Sequence, residues 1–295
     1  MVLENTAMRL SPKTLHVGLI GESIQASRSP TMHMREAGAL GLSLRYDLLD
    51  LELITGGAGA LPGVLADLEA RGYLGCNITH PCKQAVMAHV HELSDDARAL
   101  GAVNTVVFKD GKRFGHNTDW SGFARSFRRG LSSVKLDRVV QYGCGGAGSA
   151  IAYALMKLGA KHLHMYDSSL ERAQALAEKI GAQFGKDRIT AESDVANFVR
   201  QADGIVNCTP IGMAKYPGMP LPADLLRPTL WVAEVVYFPI ETEMLRRARA
   251  LGCKTLDGGG MAVFQAAEAF ELFTGVKPDD ERMLSNLQAD LAKAS

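Results

Sequence analysis

Among the titratable residues, Lys83 has the most informative placement, in the run Asn77-Ile78-Thr79-His80-Pro81-Cys82-Lys83. Two residues after Pro81, it is expected in the first turn of a helix, where a cation opposes the helix dipole. That positive end, with partial desolvation, would lower the ammonium pKa and make Lys83 a general base for an alcohol proton. The same position also suits a solvated surface lysine. Asp119, in Asn117-Thr118-Asp119, has a similar pair of readings: a helix N-cap, or a carboxylate that orients the lysine or a substrate hydroxyl. Ser27 and Ser29, Asn77 and Thr79, and Asn104 complete three polar clusters at the ends of expected elements, where side chains can reach a cleft. Ser29 is also the natural N-cap of a helix whose first position is Pro30.

A second chemistry is written in Val139-Val140-Gln141-Tyr142-Gly143-Cys144-Gly145-Gly146-Ala147-Gly148, a β-branched run opening into G-x-G-G-x-G. The helix-like Ser149 to Leu155 follows at once. Strand, glycine turn and helix in that order let a pyrophosphate approach the backbone at a helix N-terminus. Lys161 to Asp167 then reads as a second strand ending in an acid, about twenty residues beyond the turn, where a dinucleotide fold holds the adenosine ribose hydroxyls. A carboxylate there repels a 2′-phosphate, so the expected cofactor is NAD. An ordinary βαβ unit with Asp167 as a helix cap is the structural alternative.

Elements of the right kind must bring these groups together. Strands are expected over His16–Gly21, Arg45–Leu51, Tyr73–Thr79, Ala102–Lys109 and Arg113–Asn117, the last two paired across an Asp110-Gly111 turn. Helices are expected over 31–40, 61–70, 81–90, 93–100 and 119–130. After Asp167, strands at 188–190, 204–207, 230–237 and 254–256 alternate with helices at 170–180, 193–200 and 241–251. Two helices, 261–273 and 279–292, close the chain. Alternation of this kind gives mainly parallel sheets covered on both faces, whose C-terminal strand ends form one rim. The expected organisation is an α/β substrate and catalytic domain over 1–130 and 260–295, with the C-terminal helices packing back on it, and an NAD-binding domain over 131–259.

Composition narrows the partners. Lys plus Arg and Asp plus Glu balance at 32 each, so no net field draws the chain to nucleic acid or to an anionic membrane. Five cysteines without a C-x-x-C pair, and no paired His spacing, predict reduced packing thiols and no metal. Residues 1–14 read as a polar leader without the apolar core of a signal peptide, and no run approaches a membrane span. A cytoplasmic protein with a small-molecule partner is expected, with a homodimer left open.

Taken together, S-x-S-P at Ser27 to Pro30, N-I-T-H-P-x-K at Asn77 to Lys83, Gly101-Ala102-Val103-Asn104-Thr105 and Asn117-Thr118-Asp119 resemble the shikimate dehydrogenase family. Gly143 to Gly148, Asn207 to Met213, Val236-Tyr237-Phe238-Pro239 and Asp257 to Met261 with Gln265 fit the same family in the same order. The resemblance spans residues 16 to 275. It implies a Rossmann-type cofactor domain and an oxidoreductase that interconverts a cyclic polyol carboxylate, shikimate or quinate, and its 3-dehydro form. Lys83 and Asp119 would be the catalytic pair, exchanging the alcohol proton while the nicotinamide takes the hydride. Ser27 and Ser29 would bind the carboxylate with Tyr237 at its edge, and Asn77, Thr79, Asn104, Asp119 and Gln265 would hold the ring hydroxyls. Gly143, Gly145, Gly146, Ala147 and Gly148 would carry the pyrophosphate, and Asp167 with Arg172 the adenosine ribose. Asn207, Thr209, Pro210 and Met213 would line the cofactor path, with Val235 and Gly258 near the nicotinamide.

Two departures refine the resemblance. Biosynthetic members carry Asn-Arg-Thr or Asn-Arg-Ser after the second strand, whereas Tyr166-Asp167-Ser168 has no adjacent arginine, as in the NAD-preferring quinate/shikimate subgroup. That subgroup often has threonine where Ser29 stands, which favours shikimate and leaves quinate as a second candidate. Aminoshikimate is an alternative substrate, and a non-catalytic polyol sensor an alternative role.

Overall fold

The computed structural model describes residues 14–294, so the leader, Thr14 apart, lies outside the described residues. Two six-stranded sheets organise the chain. The first is built from β1 (Leu15–Gly21), α1 (Ser29–Ala39), β2 (Leu44–Asp50), α2 (Leu61–Ala70), β3 (Gly75–Ile78), β4 (Glu92–Leu93), α3 (Asp95–Leu100), β5 (Thr105–Lys109), β6 (Lys112–His116) and α4 (Asp119–Gly130). β1 lies parallel to both β2 and β3, and its residues 17–21 are buried, as an unbroken apolar run between two neighbours requires. β5 and β6 form the expected hairpin. Asp110 and Gly111 both have positive φ, 50° and 69°, the pairing of a two-residue turn that follows the twist of the strands. Because β5 runs antiparallel to β3, this sheet is mixed rather than parallel throughout.

The second sheet is built from β7 (Arg138–Tyr142), α5 (Gly146–Lys157), β8 (His162–Tyr166), α6 (Leu170–Phe184), β9 (Ile189–Glu192), α7 (Ala196–Val199), β10 (Gly204–Asn207), β11 (Trp231–Glu234), α8 (Glu243–Ala250) and β12 (Lys254–Leu256). It is parallel throughout, in the order β12-β11-β10-β7-β8-β9. The order reverses between β7 and β10, which puts a crevice at their carboxyl ends, beside the glycine turn. One core packs Ile151, Leu155, Leu163 and Trp231 on one face, and another packs Val140, Ile205, Val232 and Leu245 on the other.

The last two helices, α9 (Gly259–Thr274) and α10 (Asp280–Ala294), leave the second sheet and return to the first. α9 lies along α4 and touches α1, while Met32 of α1 shares a core with Val263, Met283 and Leu287. Arg282 reaches the fully buried Glu36 carboxylate at 2.6 Å, closing the seam with a charge-assisted bond. Among the described residues no helix is long and apolar enough to cross a membrane.

Two local expectations need correction. The helix foreseen from Pro81 to Val90 is a series of turns followed by a short 3₁₀ segment, Ala85–His89. Lys83 therefore does not sit in the first turn of an α-helix of its own. Ser29 is the first residue of α1 rather than its cap, and no side chain caps that helix.

Candidate functional site

A cleft of about 700 Å³ lies between the two sheets. Lys83 and Asp119 meet within it, the ammonium donating to the Asp119 carboxylate at 2.7 Å. Their side chains are only 20% and 10% exposed, which separates this pair from the solvent-facing ion pairs elsewhere on the chain. Lys83 is fixed through its carbonyl, which accepts the Val103 amide at 2.8 Å. Asp119 begins α4, but the capping work belongs to Asn117, whose Oδ1 accepts the Asp119 amide at 3.1 Å. The Asn117 amide nitrogen donates to the Ala102 carbonyl at 3.0 Å, so that one side chain ties the helix start to the lead-in of β5. The Asp119 carboxylate is thereby free to face Lys83.

The polar clusters converge, although not all from C-terminal strand ends: Asn104 directly precedes β5, which runs antiparallel to β3 and so brings its N-terminal end to the same rim. Ser27, Ser29, Asn77, Thr79, Asn104, Tyr237 and Gln265 all line the same cleft. Their remaining hydrogen-bonding capacity differs, however. Asn77 donates to Thr105 Oγ1 at 3.0 Å and to the Asn104 carbonyl at 3.3 Å, so it faces the cleft as an acceptor. Asn104 donates to Thr118 Oγ1 at 2.9 Å and accepts the Thr118 amide at 2.8 Å, leaving one N–H for a ligand. Gln265 donates to the Ala262 carbonyl at 3.0 Å, and its oxygen has no hydrogen-bond partner among the described residues.

The sequence reading missed three side chains around this cleft. Tyr46 Oη donates to Asn77 Oδ1 at 2.8 Å, and burial keeps the phenol protonated by pushing its pKa up. In sequence it reads as an ordinary core aromatic on a strand. Arg28, inside the serine motif itself, places its guanidinium 5.9 Å from the Phe238 ring centroid and lines the cleft without an ion pair among the described residues. Glu234 ends β11 almost wholly buried. An acid closing an apolar strand was a signal open to notice.

The dinucleotide side can be tested against the glycine turn. Gly143 has φ of 94°, and a Cβ there would come within 2.8 Å of the Cys208 carbonyl carbon. A Cβ on Gly148 would meet the Gly143 oxygen at 2.2 Å. Gln141 holds both carbonyls, those of Gly143 and Gly148, at 2.9 Å. Gly145 faces open space and caps α5 without a side-chain hydrogen bond, so the amides of Gly146 and Ala147 have no capping acceptor. The Ser149 hydroxyl, in the first turn of α5, is buried without a partner among the described residues. Free first-turn amides and a backbone stripped of side chains fit a pyrophosphate. Gly146 also stands close to Lys83, whose Cδ lies 3.9 Å from where a Cβ would be.

Of the other expected cofactor residues, Ala147, Thr209, Pro210, Met213, Val235 and Gly258 line the cleft, while Asn207 is buried behind it. Gly143, Gly145, Gly146, Gly148, Asp167 and Arg172 do not line it. Asp167 Oδ2 accepts the Cys144 amide at 2.8 Å, and Oδ1 accepts the Ser169 amide at 3.0 Å. Burial pushes its pKa up, but these amides and the Arg172 guanidinium at 3.0 Å outweigh it and hold the carboxyl below the usual range.

This arrangement can be set beside known proteins. The family model for the shikimate dehydrogenase substrate-binding domain matches residues 19–106, and that for the shikimate 5′-dehydrogenase C-terminal domain matches residues 258–288. A shikimate dehydrogenase (NADP(+)) of Streptomyces avermitilis is 56% identical over 278 residues, 94% of this chain and 95% of that one. The chain belongs to the shikimate dehydrogenase family. A quinate/shikimate dehydrogenase (NAD(+)) of Corynebacterium efficiens is 46% identical over 270 residues, covering 90% and 95% of the two chains. Among solved structures, quinate dehydrogenase from Corynebacterium glutamicum in complex with NAD superposes with a TM-score of 0.90 at 44% identity, covering 94% of this chain and 99% of that one. The two-domain α/β architecture of the family, with its Rossmann-type sheet, is therefore the architecture of this chain.

Proposed function

We propose that this chain is an NAD-dependent shikimate dehydrogenase, with quinate as a second substrate, interconverting a ring C3 alcohol and its ketone. The observation that carries the reading is the shielded Lys83–Asp119 pair in a cleft flanked by Ser27 and Ser29 and, at Ala147, by the glycine turn. In the oxidation direction Lys83, as the amine, takes the alcohol proton. Asp119 balances the charge that forms and holds the Nζ in place. In reduction Lys83 returns that proton to the ketone oxygen. A bound nicotinamide supplies the hydride acceptor or donor. Ser27 and Ser29 donate hydroxyls to the substrate carboxylate, Asn77 and the Gln265 oxygen accept from ring hydroxyls, and Asn104 gives its one remaining N–H. On this reading residues 1–130 and 260–295 form the substrate unit and 131–259 the cofactor unit.

The preference for NAD rests on Asp167, which directly follows β8 beside the glycine turn and whose carboxylate is held charged by two amides. Such an acid accepts ribose hydroxyls and repels a 2′-phosphate. NADP is favoured by one competing observation: Arg172, 57% exposed, lies against Asp167 and is a guanidinium suited to a phosphate. The similarity to relatives named for each cofactor leaves both readings supported. Reduced-nicotinamide absorbance with shikimate and with quinate, each paired with NAD and NADP, decides among these. Turnover on shikimate with NAD well ahead of NADP is expected. Turnover with NADP alone would remove the Asp167 argument, and none with any pair would remove the dehydrogenase reading.

A further inference from the structure

Glu234 stands behind the dinucleotide side of the cleft and joins three segments of the chain. Its Oε1 accepts Asn207 Nδ2 at 2.9 Å and the Val236 amide at 3.2 Å, while the Thr242 hydroxyl lies 3.2 Å from Oε2. Asn207 carries the connection onward. Its Oδ1 accepts the Thr209 amide at 2.9 Å and the Thr209 hydroxyl at 2.7 Å, and its Nδ2 also reaches the Ile211 carbonyl at 2.8 Å. Thr242 in turn caps α8 through the Leu245 amide at 3.3 Å. Thr209, Pro210, Met213, Val235 and Val236 share the cleft with Lys83 and Asp119.

We propose that Glu234 is a positioning residue for this wall: one buried carboxylate fixes the 207–213 turn, the exit of β11 and the cap of α8 relative to one another, and so sets how tightly the cleft holds a dinucleotide. The inference rests on the dinucleotide-dependent reading given above. Hydride transfer requires the nicotinamide beside the substrate alcohol, so the wall that shares a cleft with Lys83 is the one the nicotinamide end must meet.

The choice of a carboxylate has a consequence. No Lys, Arg or His from β10, α8 or β12 pairs with Glu234 among the described residues, and the titratable group beside it, the Cys208 thiol, is kept protonated by burial. Burial pushes Glu234 up to about 7, against its bonds from Asn207, Val236 and Thr242. Both protonation states are thus populated near neutrality, and Thr242 serves both. Its hydroxyl donates to an ionised Oε2 and accepts from a protonated one. The Asn207 and Val236 bonds persist in either state but strengthen when the acceptor is charged. Burial nevertheless disfavours the charge more than these bonds favour it, so opening relieves an ionised Glu234 and the wall loosens as pH rises through about 7.

The test is a titration of the purified full chain with NADH and with NADPH, followed by nicotinamide fluorescence across neutral pH, with shikimate KM measured alongside. Wild type should bind more weakly as pH rises through neutrality. Glu234→Gln keeps the Oε1 contacts and presents an N–H₂ to Thr242, so it should resemble the protonated wild type and show a flat pH profile. Glu234→Ala should weaken dinucleotide binding by about tenfold at every pH, the scale of a lost buried hydrogen-bond acceptor, with shikimate KM within about twofold. Unchanged binding in both variants, at every pH, overturns the inference while leaving the dehydrogenase reading intact. A pH profile in Glu234→Gln that matches wild type overturns the pH dependence even where Glu234→Ala does not fold. Wild type that binds neither dinucleotide overturns the functional reading and this inference with it.

Discussion

The Arg172 guanidinium lies 3.0 Å from Asp167 Oδ1, so the acid expected to read the adenosine ribose is already paired with the nearest cation. The pair sets two cofactor preferences against each other at one strand end. Replacing Asp167 with Asn keeps an acceptor for the Cys144 amide and removes the charge. The ratio of kcat/KM for NAD over NADP should then fall by about tenfold or more, equivalent to roughly 1.4 kcal/mol. Arg172→Ala should reduce whatever NADP activity exists and leave NAD activity nearly unchanged. An unaltered ratio in Asp167→Asn would show that discrimination lies elsewhere.

Lys83→Ala should reduce kcat by about 10²–10⁴-fold, the range of general acid–base catalysis, and Asp119→Asn should do the same through loss of the partner charge. Because the two act as a unit, the double variant should cost little more than the worse single one. Circular dichroism and thermal melts separate this loss from unfolding. Multiplicative effects would mean that the two side chains act independently.

Tyr46→Phe removes the donor that holds Asn77 Oδ1. The two bonds that Asn77 donates remain, but its oxygen is no longer held from Tyr46, so shikimate KM should rise by about three- to tenfold for one hydrogen bond, with the NADH dissociation constant unmoved. Steady-state kinetics with both substrates varied reads this split directly.

His33 is 1% exposed among Tyr46, Phe270 and Phe273, and neither ring nitrogen has a hydrogen-bond partner among the described residues. Burial lowers its pKa from 6.5 to about 3. The unfolded chain binds a proton at this residue below pH 6.5 and the folded chain does not until about 3. Stability is therefore lost as pH falls through that window, by about 1.4 kcal/mol per unit. His33→Phe should flatten that slope in urea melts taken between neutral and mildly acidic pH. An identical slope in the variant would assign the acid sensitivity to other groups.

Glu234 acts with the opposite sign. Its pKa is raised from 4.5 to about 7, so the folded chain holds a proton there that the unfolded chain has released. Stability is lost as pH rises across that interval, by a few kcal/mol in total. Glu234→Gln should be more stable than wild type above neutrality and nearly equal to it near pH 4.5. Equal melting temperatures at both ends of the range would refute the buried-acid account.

The sequence by itself determined the alternation of strands and helices, the Asp110-Gly111 hairpin, the glycine turn and the set of polar clusters, because each depends on local geometry. A two-residue turn needs positive φ at successive positions, and a parallel α/β layout brings its strand ends to one rim. Tertiary structure alone decided what those groups face. Pro81 suggested a helix start, yet residues 81–84 adopt turns, and the environment of Lys83 is set by Asp119, thirty-six residues away, rather than by a helix of its own. Asn117 took the capping role that the sequence reading offered to Asp119, which freed the Asp119 carboxylate. Tyr46 was invisible beside the cleft because what it does comes from a partner on another strand, and Glu234, noticeable as an acid closing an apolar strand, gave no sign of which groups it meets. Periodicity marks which positions are apolar, but only the assembled fold shows which buried polar atom meets which.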